Sequence, residues 1–231
     1  MECFWVARWQ LEGQSDHRVE LLSDPCVNVA FEAGASRVVG VSTRLFERVL
    51  HGRGLVRAAK LKAGAVRAFL SVHAAQLTDA QWPIRAYLPT ANARLARQVL
   101  APEDHREGLD VMRRWLEAVR LPKDEDVALA TEVVTHIADT VETTSVAALR
   151  RQTGLSERAL QRLFRDHVGA SPKWVIRRNR LQEAAVRLER GAVSLTDLAF
   201  ELGYADHAHL TRDFKAATGK APSAFVKGLD G

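Results

Sequence analysis

The feature that most constrains the fold is an internal repeat in the last hundred residues. A segment that begins at Ser145 recurs 49 positions later at Ser194, and past the middle of each copy the offset grows to 50. The matched pairs are Ser145 and Ser194, Leu149 and Leu198, Gly154 and Gly203, Leu160 and Leu210, Arg162 and Arg212, Phe164 and Phe214, Arg165 and Lys215, Gly169 and Gly219, and Pro172 and Pro222. Self-similarity of this kind indicates that one supersecondary unit occurs twice.

Each copy is predicted to form two helices joined at a glycine. The serine at the start is a good N-cap, because its hydroxyl accepts a hydrogen bond from an unpaired backbone N–H. Gly154 and Gly203 are expected to end the first helix in the left-handed conformation that glycine adopts easily. Ser156 and Asp206 would then cap the next helix. This is the helix-turn-helix arrangement, in which the second helix enters the major groove of DNA.

The two units are predicted over about 145–168 and 194–218, with a long amphipathic helix from Lys173 to Arg190 between them. Its core candidates are Val175, Ile176, Leu181, Ala185 and Leu188. A rigid connection would hold both units in one register. A single chain could then enter successive major-groove segments about 34 Å apart.

The basic charge is concentrated in the first copy. The net charge of +5 fits a polyanionic partner without establishing one. Nine Lys or Arg and two acidic residues lie between Ser145 and Arg180, whereas residues 181–231 hold six basic and seven acidic ones. We therefore expect the first unit to supply most of the affinity and the second to adjust sequence preference.

Residues 127–229 resemble the DNA-binding domain of the AraC/XylS family of bacterial transcription factors. Three segments carry the resemblance, namely 155–164 to the first recognition helix, 176–185 to the connecting helix and 198–215 to the signature segment. Trp174 stands where the family usually has a smaller aromatic residue, and Leu210 replaces a common Phe. Both substitutions keep the core apolar.

The resemblance implies a cytoplasmic bacterial transcription regulator of the activator class that binds double-stranded DNA. RNA polymerase is a candidate second partner. The residues themselves leave open the operator sequence, the direction of regulation and the oligomeric state.

Carried over position by position, the resemblance assigns two groups of DNA contacts. The base-reading positions are Arg158, Gln161 and Arg162 in the first unit, and His207, Ala208, His209 and Arg212 in the second. The phosphate positions are Arg150, Lys173, Arg177 and Arg178, for each of which a solvated surface role is the alternative. Arginine can bind guanine through two hydrogen bonds and glutamine can bind adenine, whereas alanine offers only an apolar contact.

The N-terminal residues predict a small β domain. Short strands are expected at Trp5–Leu11, Val19–Leu22, Cys26–Phe31, Arg37–Val41 and Leu55–Leu61, with turn residues between them. The predicted class is α+β, with an N-terminal small β-barrel or cupin-like domain and helical segment and a C-terminal all-α domain. The expected boundaries are 1–75, 76–125 and 126–231.

The middle of the chain predicts helices across about 77–120, because apolar residues recur there at helical spacing. Leu109, Met112 and Leu116 would form either a homodimer seam or a face that packs on the β domain. Residues 121–126 are interpreted as a charged linker, with Pro122 as a helix stop.

The first 75 residues also resemble, more distantly, the sensor domain of a subset of these regulators. The domain could hold a small-molecule effector or serve only for association. No cofactor or metal site is predicted, because His17, His51 and His73 are isolated in sequence and His207 and His209 point in different directions on a helix. The aromatic residues Trp5, Trp9 and Phe31 are interpreted as core.

Other classes of protein are less well supported. Cys3 and Cys26 are too few for the cysteine cluster of a DNA-repair enzyme fused to a regulator, and they fit reduced thiols. No Gly-x-Ser-x-Gly motif is present. A protein-interaction module would not need arginine at matching positions of both repeats. No apolar run is long enough to span a membrane.

Overall fold

The computed structural model describes residues 1–119, 123–191 and 194–227. Strands, short 3-10 turns and two helices form the first half, and helices form the part after residue 126. The α+β class is confirmed. The predicted helix stop at Pro122 lies outside the described residues.

The strands are β1 Cys3–Gln10, β2 His17–Leu21, β3 Asn28–Glu32, β4 Arg37–Val39, β5 Phe46–Leu50, β6 Arg53–Lys60 and β7 Gln81–Pro83. All five predicted strands are present, with ends within two residues of those expected. The sequence did not predict β5, which has Glu47 and Arg48 at its centre, or β7, which is three residues long and ends in proline.

The sheet is open. Five strands pair in the order β1-β6-β3-β4-β7, every pair being antiparallel, while β2 and β5 pair with each other in a separate ribbon. A closed barrel needs two neighbours for every strand. Since β1 and β7 are edge strands in the described part of the chain, the predicted barrel is wrong.

The helices are α1 Ala93–Leu100, α2 His105–Ala118, α3 Asp126–Asp139, α4 Val146–Thr153, α5 Glu157–His167, α6 Pro172–Glu189, α7 Leu195–Glu201, α8 His207–Thr218 and α9 Pro222–Lys227. The stretch predicted as helical from about residue 77 becomes α-helical only at Ala93, because Pro83 and Pro89 interrupt it. Within the described ranges, no helix is both long and apolar enough to cross a bilayer.

The apolar face of α2 is occupied within the chain. Met112 and Leu116 are buried in the same core as the sheet residue Phe31, and Leu109 is half-buried. Packing on the β domain therefore accounts for the two residues that would have been central to a dimer seam.

The three N-terminal aromatic residues have different surroundings. Phe31 is fully buried and meets Trp115 edge to face at 5.5 Å. Trp9 is half-buried under the Arg48 guanidinium, and Trp5 is exposed, with its indole N–H donating to Asn28. The core interpretation thus holds for Phe31 and is wrong for Trp5, which lies on the edge strand β1. Cys3 and Cys26 are free thiols.

One continuous apolar core joins the sheet to the first helix-turn-helix unit. Phe31 of β3 and both Leu160 and Phe164 of α5 are fully buried in it. A second core holds the last part of α6 together with α7 and α8, through Leu181, Leu198 and Phe214 among others. The first unit therefore packs as one body with the N-terminal half, whereas the second unit has a core of its own.

Candidate DNA interface

The first unit has the predicted caps and turn. The Ser145 hydroxyl accepts a hydrogen bond from the Ala148 N–H at 3.1 Å and opens α4. Gly154 ends α4 with φ of 72°, in the left-handed region. The Ser156 hydroxyl then accepts from the Ala159 N–H at 3.2 Å and opens α5. These contacts confirm the helix-turn-helix prediction for this unit.

The second unit repeats the same local structure. The Ser194 hydroxyl accepts from the Asp197 N–H at 3.4 Å, and Gly203 has φ of 70° after α7. The Asp206 carboxylate accepts from the His209 N–H at 2.6 Å, and this hydrogen bond lowers the pKa of Asp206. An aspartate here suits the start of α8, since a negative charge is favourable at a helix N-terminus.

The helix α5 has one buried and one exposed face. Leu160, Leu163 and Phe164 face the core. Opposite them, Ser156, Arg158, Ala159, Gln161, Arg162 and Arg165 line one open depression. Arg158 and Arg162 are exposed, and neither has an ion pair or hydrogen bond from its side chain among the described residues. All three predicted base-reading positions of the first unit thus lie together on one exposed polar face, on which the Gln161 amide donates to the Glu157 carboxylate at 3.3 Å.

The corresponding face of α8 is less basic. Leu210 and Phe214 are buried, while His207 and Arg212 are exposed and Ala208 is half-buried. The fourth predicted position, His209, is also exposed but contacts residues of its own unit. Its ring meets Tyr204 edge to face at 5.1 Å, and its Nε2 lies 3.9 Å from Asp213.

Three of the four predicted phosphate positions lie at the surface. Lys173 is exposed near the start of α6. Arg150 is exposed and lies 3.8 Å from Glu157, and Arg177 pairs with Asp213 at 3.2 Å with its side chain 42% exposed. Exposed pairs of this kind are weak and can exchange for a phosphate.

Arg178 does not match its predicted role. Its side chain is 9% exposed and donates hydrogen bonds to the Ser23 carbonyl and the Asp24 carboxylate, both in the loop between β2 and β3. Burial lowers the pKa of Arg178, and the Asp24 charge partly opposes this effect. In this conformation Arg178 holds the N-terminal half against α6 and is unavailable to DNA. The nearby Trp174 indole supports the same contact by donating to the Thr43 carbonyl at 3.1 Å.

Two further arginines of this domain, one on the α5 face and one inside the domain, were not predicted from the sequence. Arg165 lines the same depression as Arg158, although it pairs with Asp166 at 2.7 Å. Its match to Lys215 in the repeat was the available signal. Arg180 lies over the Tyr204 ring at 3.7 Å and so fixes α6 to the turn of the second unit. Burial raises the pKa of Tyr204 to about 12.

Two capped helix-turn-helix units joined by one long helix define a double helix-turn-helix domain. A family described as a helix-turn-helix domain matches residues 149–228, and a family described as a domain of unknown function (DUF6597) matches residues 1–83.

The curated relatives are HTH-type transcription regulators. The chain is 32% identical over 96 residues to the HTH-type transcriptional activator RhaS of Escherichia coli O139:H28, covering 42% of this chain and 34% of RhaS. It is 27% identical over 135 residues to the uncharacterized HTH-type transcriptional regulator YfiF of Bacillus subtilis strain 168, covering 56% of this chain and 43% of YfiF. The match thus spans less than half the length of either relative. Through residues 149–228 the chain is similar to the helix-turn-helix domains of these regulators, which supports the resemblance to the AraC family.

Solved structures of ToxT from Vibrio cholerae are distant matches. ToxT from strain O395 aligns with a TM-score of 0.46 at 10% identity, covering 99% of this chain and 98% of ToxT. A wild-type ToxT with a bound unsaturated fatty acid aligns with a TM-score of 0.44 at 9% identity, covering 96% and 94%. Similarity at this level assigns no ligand to the present chain.

Proposed function

We propose that the protein is a sequence-specific transcription regulator whose helices α5 and α8 read successive major-groove segments of double-stranded DNA. The observation that carries the proposal is the exposed polar face of α5, where Arg158, Gln161 and Arg162 are open to solvent on a helix whose other face is fixed in the core. An arginine fork and a glutamine amide are the side chains that recognise guanine and adenine edges.

A compartment and a second partner follow from this proposed activity. The protein would act in the cytoplasm at a bacterial promoter, as a binding protein rather than an enzyme, with RNA polymerase as the partner that converts binding into a change of transcription. RhaS, named as a transcriptional activator, supports activation as the direction to test first.

Binding of the full chain to the promoter region of its own gene tests the proposal. In a mobility-shift titration at fixed salt, the double variant Arg158→Ala, Arg162→Ala is expected to lose sequence-specific binding. The control is Arg113→Ala, which removes an exposed arginine of α2 that pairs with Asp110 and Glu117. Equal affinity of the double variant and the control would contradict the assignment of α5 as a reader.

We further propose that the N-terminal half controls DNA binding through the contact between Asp24 and Arg178. The Asp24 carboxylate accepts from Arg178 through one oxygen and from Lys60, at 2.5 Å, through the other. Release of this contact would free one basic side chain on α6 for a phosphate. A small effector bound to the N-terminal half would act by this route, and a regulator without an effector is the alternative.

The variant Asp24→Asn tests this control. Loss of the carboxylate charge is expected to raise the affinity of the full chain for its target DNA several-fold and to steepen its salt dependence by about one unit, as one more phosphate contact would do. Glu32→Gln is the matched control, because Glu32 pairs with Arg37 and Arg48 inside the N-terminal half. Unchanged affinity and salt slope in Asp24→Asn would refute the release mechanism.

A further inference from the structure

Three side chains with metal-binding groups meet where α3 begins and α5 ends. Asp124, Asp126 and His167 each offer one ligand atom, and these atoms all lie within 4.8 Å of one another. The two aspartates precede His167 by about forty residues, so no short spacing motif joins them. The fold alone brings them together.

His167 gives independent evidence for a ligand at this place. Its side chain is 3% exposed, and its Nδ1 is buried without a hydrogen-bond partner. Its Nε2 faces the Asp124 carboxylate at 3.8 Å, which is too long for a hydrogen bond. Buried polar atoms almost always have partners, so a buried imidazole beside two carboxylates, with neither ring nitrogen hydrogen-bonded among the described residues, points to a bound group at this place.

Hydrogen bonds from neighbouring groups fix the Asp124 carboxylate beside His167. Its Oδ2 accepts from Arg67 Nε at 2.5 Å, and its Oδ1, the oxygen nearest His167, accepts from the Asp126 N–H at 3.1 Å. Oδ1 retains a lone pair toward the ring. Arg67 offsets one of the two carboxylate charges, which leaves a net negative site for a cation. Asp126 is exposed, so its side chain is free to swing in as the third ligand.

We propose that Asp124, Asp126 and His167 bind a divalent transition-metal ion of the Zn²⁺ type, with water in the remaining positions. One imidazole nitrogen with two carboxylate oxygens suits such an ion, whereas Ca²⁺ prefers oxygen ligands alone. Metal–ligand distances of about 2.0–2.2 Å require the three atoms to approach one another by roughly an ångström. The bound ion would tie the start of α3 to the end of the first reader helix.

Metal titration of the full chain, freed of metal by a chelator and without DNA, tests the site. Wild-type protein is expected to bind one Co²⁺ with the visible absorption of a nitrogen- and oxygen-ligated ion, and Zn²⁺ is expected to displace it. Asp126→Asn should weaken Co²⁺ binding at least about tenfold, since loss of a ligand exceeds the effect of losing its outer partners. The matched control is Asp139→Asn, which changes an exposed aspartate at the other end of α3 and should bind like wild type.

His167→Gln should lose binding as Asp126→Asn does. Because His167 is buried and Asp126 is not, the Asp126 variant keeps the test valid if the histidine variant misfolds. Absence of Co²⁺ and Zn²⁺ binding at micromolar concentration, or equal affinity of Asp126→Asn and wild type, would overturn the proposal. Since no DNA is present, either outcome is independent of the regulator function proposed above.

Discussion

Replacing Arg162 by alanine is expected to weaken binding of the full chain to its target DNA by about 10- to 100-fold, as the loss of one two-hydrogen-bond base contact does. Arg212→Ala is expected to cost clearly less. Arg162 lies among Arg158, Gln161 and Arg165 on a face that carries no competing carboxylate contact for Arg162 itself. Arg212 lies on α8, which Asp206 caps and which also contains Asp213. These two negative charges make the electrostatic potential around Arg212 less favourable to DNA.

Titrations of both variants at several salt concentrations measure this difference. The loss in Arg162→Ala should persist across the series if the residue reads a base, whereas a pure phosphate contact would mainly reduce the salt slope. Equal losses in Arg162→Ala and Arg212→Ala would contradict the unequal roles of the two units. Circular dichroism should show no change in either variant, because both side chains are exposed.

Replacing Gly64 by alanine is expected to destabilise the protein by about 3 kcal/mol or more, which lowers Tm by about 6 °C or more in a chain of this size. Gly64 has φ of 86°, and a Cβ there would lie 2.6 Å from the Thr131 nitrogen and 2.7 Å from the Ala130 carbonyl carbon. Both atoms belong to the backbone of α3 and cannot rotate away. The substitution therefore pushes the N-terminal half off the helical half along their shared core.

Gly34→Ala is the matched control for this prediction. Gly34 has a similar φ of 70° in the turn between β3 and β4, but a Cβ there would meet no described atom within 4 Å. Only the backbone strain remains, at about 1 kcal/mol. Thermal unfolding that gives the same Tm for both variants would show that the close approach of Gly64 to α3 does not exist in solution.

The two helix-turn-helix units could be predicted from the sequence because the caps and turns that form them depend on residues close together in the chain. Ser156 caps the helix that it precedes, and Gly154 ends the helix that it follows, so both act within a few residues of their own position. The same holds for the exposed face of α5, which follows from helical spacing once the apolar residues Leu160 and Phe164 are known.

The wrong or missing predictions concern contacts between segments that are far apart in sequence. The resemblance assigned Arg178 to a phosphate, yet the side chain is held by Asp24, which lies more than 150 residues away in sequence. The open sheet and the pairing of β5 with β2 are likewise tertiary features. His167 gave no signal either, since its two acidic neighbours lie in the segment before α3 and at its start. Contacts of this kind can be recognised only once the tertiary structure is known.

The two helix-turn-helix units differ in how their cores are connected to the N-terminal half. Because α5 shares its core with the sheet, substitutions that disturb this core in the N-terminal half are expected to affect the first unit as well. The second unit has a separate core, which it shares with the last part of α6. A deletion of the N-terminal half would expose apolar surface of the first unit, so regulation is better tested with point variants such as Asp24→Asn.

Hydroxyl-radical footprinting of the full chain on the promoter region of its own gene tests the central claim most directly. Because α6 holds the recognition helices α5 and α8 in one register, two protected segments are expected on one face of the DNA, about one helical turn apart. Arg158→Ala with Arg162→Ala should remove protection of one segment first, together with most of the affinity. Protection of a single segment, or uniform protection that no reader variant alters, would contradict the account.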